Sequence, residues 1–230
     1  LKNIFGLIPA AGSGTRMRAD RPKQYLRLGS ASLLERSVYS LLADVRVTRA
    51  LVVVAADDTT AATLALPARC TILAGGGATR AATVRNGVRA LLDMAGPDDW
   101  VLVHDAARPC LPAAELAALI DAAGGDENGG LLAAPIADTL KREEAGAGRV
   151  AGTVDRSGLW RALTPQFFRI DILARALERD GAPSFTDEAA AVEALGLRPR
   201  LVEGSASNIK VTTPGDLALA EAILRQQGRW

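Results

Sequence analysis

The sequence predicts an α/β protein with a mostly parallel central sheet and helices on both faces. Three observations carry that prediction. Short continuous apolar runs, at residues 4–8, 51–54 and 100–103, read as strands buried on both faces. Between them, apolar residues recur at helical spacing, in Leu33, Leu34, Val38, Leu41 and Leu42 and again in Val84, Val88, Leu91 and Leu92. Small-residue loops follow the runs, where open α/β sheets bind ligands.

In chain order, the first strand runs from Ile4 to Ile8 into a glycine-rich turn, and a helix covers Leu33 to Leu42. Strands follow at Leu51 to Val54, Thr71 to Leu73 and Trp100 to Val103, with a helix through Val84 to Leu92. Leu131 to Ala134 reads as a further strand ended by Pro135. Residues 136–157 are polar, with two part-β runs around a turn at Gly146 and Gly148, which reads as a hairpin. Little in it could build a core, so it either projects to pack on something else or is a mobile surface excursion. Residues 170–177 and 187–195 read as helices, and 200–202 and 209–211 as short strands. Thr213, Pro214 and Asp216 signal the N-cap, first and third positions of a closing helix.

Composition excludes several classes. The chain has 230 residues, 49% apolar and 23% charged, so it can bury a full core without disulfide or metal staples. A formal charge of +1 argues against a general nucleic-acid binder. A single histidine, His104, excludes multi-histidine metal sites, and two cysteines make no disulfide framework. No run reaches the roughly 18 apolar residues of a membrane span, and the start lacks a signal peptide's apolar region, so the expected compartment is the cytoplasm.

The chemistry lies in the loops. Pro9-Ala10-Ala11-Gly12-Ser13-Gly14-Thr15-Arg16-Met17 lets a phosphate chain approach backbone amides ahead of a helix. It matches neither GxGxxG nor the P-loop. The charge that follows sharpens the signal: Arg16, Arg18, Arg21, Lys23 and Arg27 stand against Asp20 alone. Such a cluster beside a glycine loop is either a triphosphate clamp or a solvated basic face. Gly75-Gly76-Gly77-Ala78-Thr79-Arg80 follows another strand, as a ligand loop or a tight turn, and Thr83 lies one helical turn further on. In His104-Asp105-Ala106-Ala107-Arg108-Pro109, Asp105 is the metal candidate, placed to share Mg²⁺ with phosphates, with a structural Asx turn as the alternative. His104 is expected to orient or pack rather than catalyse.

These segments occur in order with Pro22-Lys23-Gln24-Tyr25, Asp138-Thr139-x-Lys141, Thr164-Pro165-Gln166, Thr186-Asp187-Glu188 and Asn208-Ile209-Lys210-Val211-Thr212. Together they resemble the 2-C-methyl-D-erythritol 4-phosphate cytidylyltransferases of the non-mevalonate isoprenoid pathway, from about residue 4 to 225. The resemblance implies a single Rossmann-like nucleotidyltransferase domain over residues 1–230, with residues 136–157 as a β-arm joining a homodimer. It implies transfer of the cytidylyl group of CTP to the methylerythritol phosphate, with Mg²⁺ and release of pyrophosphate. On this likeness, Ala10, Ala11, Gly12, Ser13 and Gly14 hold the nucleotide, and Arg16 and Lys23 stabilise the charged transition state. Gly77, Ala78 and Thr83 surround the cytosine, Asp105 organises the metal, and Ala106 and Arg108 lie in its motif. Thr139, Arg156, Thr164, Thr186 and Lys210 match residues around the acceptor, Thr139 and Arg156 being delivered across the dimer interface.

Ala78 stands where relatives can carry an acid and Thr83 where a serine is common, so base contacts at Ala78 fall to backbone. Nothing here matches the histidine-rich zinc site of relatives fused to a second enzyme. The expected chemistry is attack by the acceptor phosphate on the α-phosphorus, with Arg16, Lys23, Lys210 and the partner's Arg156 handling the charge. Asn208 is a further candidate for the metal shell. The nearest alternative is a cytidylyltransferase for another polyol phosphate, such as ribitol 5-phosphate. A dinucleotide oxidoreductase, with Asp57 or Asp58 as the ribose acid, and a non-catalytic nucleotide-binding scaffold are the alternatives of other classes.

Overall fold

The computed structural model describes residues 3–12, 21–179 and 185–230. Its elements are β1 (Ile4–Pro9), β2 (Arg27–Leu28), β3 (Ala31–Ser32), α1 (Leu33–Leu41), β4 (Val47–Val54), β5 (Cys70–Ala74) and α2 (Arg80–Leu92). They continue with β6 (Trp100–Val103), α3 (Ala113–Ala123), β7 (Gly130–Pro135), β8 (Leu140–Glu143), β9 (Val150–Val154) and β10 (Trp160–Arg169). The chain closes with α4 (Ile170–Leu177), α5 (Glu188–Glu193), β11 (Arg200–Glu203) and α6 (Pro214–Gln226).

Seven strands form one sheet in the order β11-β7-β10-β6-β1-β4-β5. All run parallel except β10, which is antiparallel to its neighbours β6 and β7. Side chains alternate across it, as the continuous apolar runs require. Ile4, Ile8, Val52, Val54 and Leu102 meet Leu34, Val38 and Leu41 of α1 and Leu116, Leu119 and Ile120 of α3. Phe5, Leu7, Leu51, Val53 and Val101 meet Val84, Val88 and Leu91 of α2 and Leu173, Ala176 and Leu177 of α4. Each such large side chain stabilises by roughly 1.5–3 kcal/mol on burial, so these two apolar layers are what hold the helices on the sheet. Gly87 lets α2 come close: a Cβ there would lie 2.5 Å from Leu7 Cδ1.

Helix starts follow local chemistry. Ser32 and Glu35 close a reciprocal capping box on α1, at 3.2 and 2.6 Å. On α6 the Asp216 carboxylate accepts the Thr213 amide at 2.8 Å. The expected strand at 209–211 is absent: that segment is a loop, held to the loop after β6 by the Val211 amide donating to Ala107 O at 2.8 Å. The sequence reading assigned no strand to 160–169, yet β10 pairs on both sides there. It also left α3 unassigned.

Residues 136–157 do form a hairpin. β8 and β9 make a separate two-stranded sheet, with Leu140 opposite Val154. Most of its side chains are exposed, including Val150, and Leu159 and Trp160 at its base are exposed too. Among the described residues no helix is long and apolar enough to cross a membrane.

Candidate active site

A cleft of about 550 Å³ opens at the carboxyl ends of β1 and β6. β4 and β5 lie to one side of β1 and β6 to the other, so this is where the winding reverses and where open α/β sheets take ligands. Ala10, Ala11 and Gly12 form one wall and residues 77–80 another. The walls touch closely: a Cβ on Gly76 would lie 2.3 Å from Ala11 Cβ and 2.9 Å from Val54 O. Gln24 pins the first wall by donating from Nε2 to Ala10 O at 2.7 Å. Thr83, one turn into α2, accepts from the Gly77 amide at 3.1 Å and donates to Thr79 O at 3.0 Å. Its hydroxyl therefore shapes the second wall.

Asp105 sits at the floor, and three cations converge on it. Arg80 Nε lies 3.2 Å from Oδ1, while Arg108 Nε and Lys210 Nζ lie 3.2 and 3.0 Å from Oδ2. Burial alone would raise this carboxyl, but Arg80, Lys210 and Arg108 outweigh it and hold it well below the usual carboxylate range. Arg108 also donates to Asn208 O at 2.6 Å, and Lys23 Nζ to Val211 O at 3.2 Å. Lys23 and Lys210 thus approach the same loop and line one cleft.

His104 is fully buried beneath this floor. Nε2 donates to Arg108 O at 3.0 Å, and Nδ1 accepts from Thr164 Oγ1, also at 3.0 Å. The same Thr164 oxygen accepts the Asp105 amide at 3.1 Å. Burial pushes His104 down to about 4, so it is a neutral structural group with both nitrogens committed.

The fold gathers Ala10, Ala11, Gly12, Lys23, Gly77, Ala78, Thr83, Asp105, Ala106 and Lys210 around one cleft. Arg108 and Thr164 are buried behind it. Ser13, Gly14 and Arg16 lie outside the described residues. Thr139 lies just before β8 and Arg156 two residues after β9, both exposed, and Thr186 is exposed; none of the three lines the cleft. Arg80 and Glu188 fall within sequence motifs that point to no role for either. Arg80 Nη1 and Nη2 hold the buried Glu188 carboxylate at 2.6 and 3.2 Å. Asp58, the candidate ribose acid, instead accepts the Tyr25 hydroxyl at 2.5 Å and caps the turn at Thr60 and Ala61.

Among the described residues no group of three or more His, Cys, Asp or Glu could cage a metal. Mg²⁺ needs less, since phosphates and water supply most of its ligands and one carboxylate suffices. Asp105 meets that minimum, and Lys210 is the most exposed of its three partners. Asn208 Oδ1 is a buried acceptor without a partner, but Asn208 does not line the cleft.

A doubly wound α/β sheet with a cationic crevice at its switch point defines a nucleotide-binding class of protein. Residues 4–226 match the family model of 2-C-methyl-D-erythritol 4-phosphate cytidylyltransferase, and the chain belongs to that family. The enzyme of that name from Laribacter hongkongensis is 56% identical over 226 residues, 97% of each chain. The one from Escherichia fergusonii is 50% identical, over 96% of this chain and 94% of its own. The crystal structure of a 4-diphosphocytidyl-2C-methyl-D-erythritol synthase superposes with a TM-score of 0.87 at 45% identity, over 97% of this chain and all of the other. The Francisella tularensis enzyme gives 0.83 at 31% identity, with the same coverage.

Proposed function

We propose that this chain transfers the cytidylyl group of CTP to 2-C-methyl-D-erythritol 4-phosphate, giving 4-diphosphocytidyl-2-C-methyl-D-erythritol and pyrophosphate. The observation that carries the reading is the convergence of Arg80, Arg108 and Lys210 on Asp105 at the floor of a switch-point cleft that Lys23 also lines, in a chain matched to the family almost end to end.

An oxygen of the acceptor phosphate attacks the α-phosphorus, and the bond to the bridging oxygen of the leaving pyrophosphate breaks. A phosphate monoester near neutral pH is largely a dianion, so the step needs no general base, and the buried His104 offers none. The difficulty is to bring two polyanions together. Lys23, with Arg16, stabilises the charge building on the transferring phosphorus, and Lys210 orients the incoming phosphate. Ala10 to Gly14 cradle the triphosphate through backbone amides, and residues 77–83 receive the base. Mg²⁺, when bound, neutralises phosphate charge, and Asp105 is the residue that would hold it.

Thr139 and Arg156 complete the acceptor site from a second subunit. The exposed Val150, Leu159 and Trp160 on and beside the hairpin support a partner that covers them. Two arms exchanged about a two-fold axis would seat each pair over the neighbour's cleft, where Thr164, Thr186 and Arg108 supply the nearer side. The working unit is therefore a homodimer, and the cytoplasm is its proposed compartment.

One panel tests the reading. Purified protein with Mg²⁺ is offered each of four nucleoside triphosphates with several polyol phosphates, and pyrophosphate release is measured. CTP with the methylerythritol phosphate should be the productive pair. Faster release with ribitol 5-phosphate would reassign the acceptor.

A further inference from the structure

Arg80 stands between two carboxylates that belong to different parts of the fold. It is the first residue of α2, directly after the glycine loop. Its Nε donates to Asp105 at the end of β6, and its two terminal nitrogens form a fork on Glu188. Glu188 opens α5 with its side chain 1% exposed, so it cannot turn to solvent. The start of α5 is itself fastened to β10: Gln166 donates to Asp187 at 2.9 Å and accepts the Ala189 amide at 2.7 Å. A single side chain thus joins the nucleotide-side helix, the cleft floor and the segment that carries Thr186.

We propose that Arg80 is a positioning residue for the transfer reaction, a bridge that Glu188 fastens so that Asp105 keeps Lys210 aimed into the cleft and Arg108 braced behind it. The inference rests on the cytidylyl-transfer reading. Arg80 spends three N–H groups on carboxylates, which makes it a strut rather than a free phosphate donor. A planar guanidinium can span two acceptors at fixed angles, whereas an ammonium is a point charge. Loosening the strut frees the Asp105 carboxylate to turn within its cluster and takes Lys210 with it. Misplacement of about 1 Å at a reacting centre can cost on the order of 100-fold in rate.

Arg80→Lys and Glu188→Gln test this, with the double variant, by steady-state kinetics and thermal melts. Arg80→Lys keeps the charge at a site 30% exposed, so this variant should fold even if Glu188→Gln does not. Each single variant should lose about 10-fold or more in kcat, with KM for CTP within about threefold. The double variant should be no slower than the worse single, since both break one strut. Arg80→Lys with wild-type kcat would reduce the role to charge and overturn the proposal. So would losses that multiply in the double variant, a loss confined to KM for CTP, or a melting shift with kcat per folded enzyme unchanged. An inactive wild type would overturn the cytidylyl-transfer reading and this inference with it; an active wild type beside an unimpaired Arg80→Lys overturns this inference alone.

Discussion

Lys210 Nζ stands 3.0 Å from Asp105 Oδ2, tying the loop after β11 to the loop after β6 at the floor of the cleft. Two segments about a hundred residues apart thereby share one electrostatic centre, and the position of a cation is set by a buried anion. The same anion holds Arg80 and Arg108. Charge at the floor is thus arranged before any phosphate arrives, which is the preorganisation that phosphoryl chemistry draws on.

Lys23→Ala and Arg16→Ala should each cut turnover by at least ~100-fold, the scale of losing one transition-state donor. Lys23 lines the cleft and Arg16 follows its glycine loop, so melting temperatures should hardly move. Steady-state kinetics check the assignment. A loss confined to KM for CTP would make these residues ground-state binders.

Asp105→Asn removes the charge that gathers three cations while keeping the side chain's shape. Mg²⁺-dependent activity should weaken sharply in a protein that stays folded. Metal titrations of turnover that superimpose on wild type would contradict the metal assignment.

Base choice should follow the glycine wall. Cytosine offers an amino donor and a ring acceptor where uracil offers a carbonyl and a ring N–H. The backbone at residues 75–78 is braced by the Thr83 hydroxyl and cannot readily swap donors for acceptors. CTP should be preferred over UTP by roughly 1–3 kcal/mol for each mismatched hydrogen bond. Equal specificity constants for the two nucleotides would refute this reading of the wall.

Acid should destabilise the fold through one group first. His104 is the sole histidine, neutral when folded and pushed down to about 4 by burial, from an ordinary value near 6.5. Its contribution is complete above pH ~6.5 and is lost as pH falls from there to about 4, because the unfolded chain takes up the proton and the folded one does not. The loss amounts to roughly 3 kcal/mol. Melts across that window should show it, and His104→Gln should flatten the dependence. An unchanged slope in that variant would assign the effect to carboxylates.

Much of this was legible because local chemistry dictates it. Continuous apolar runs gave β1, β4 and β6, and Thr213-Pro214-x-Asp216 marked the start of α6. β10 escaped because its exposed half and its Thr164-Pro165-Gln166 centre break both apolar continuity and alternation; only its pairing with β6 and β7 makes it a strand. Residues 209–211 misled in the opposite sense: Ile209 and Val211 are β-formers, but they pack beside α6 with no sheet edge to join. Loop motifs nominated Lys23 and Asp105, whereas Lys210 came only from the family resemblance. The Arg80–Glu188 pair was out of reach, since an arginine after a glycine run reads as a phosphate donor and 108 residues separate it from its partner.

On the proposed reading, cleft and hairpin form one active site built from two chains. Thr139 and Arg156 flank the two strands of the hairpin and are absent from their own chain's cleft lining, so their defects should be separable from those of Lys23. Arg156→Ala subunits mixed with Lys23→Ala subunits measure this directly. Each parent alone should be nearly inactive, and a mixed dimer should carry one doubly damaged site and one wild-type site. With random exchange at equal input half the dimers are mixed, so activity should recover toward ~25% of wild type per total site. Exchange confirmed by mass with no return of activity would contradict the claim that Arg156 acts across the interface.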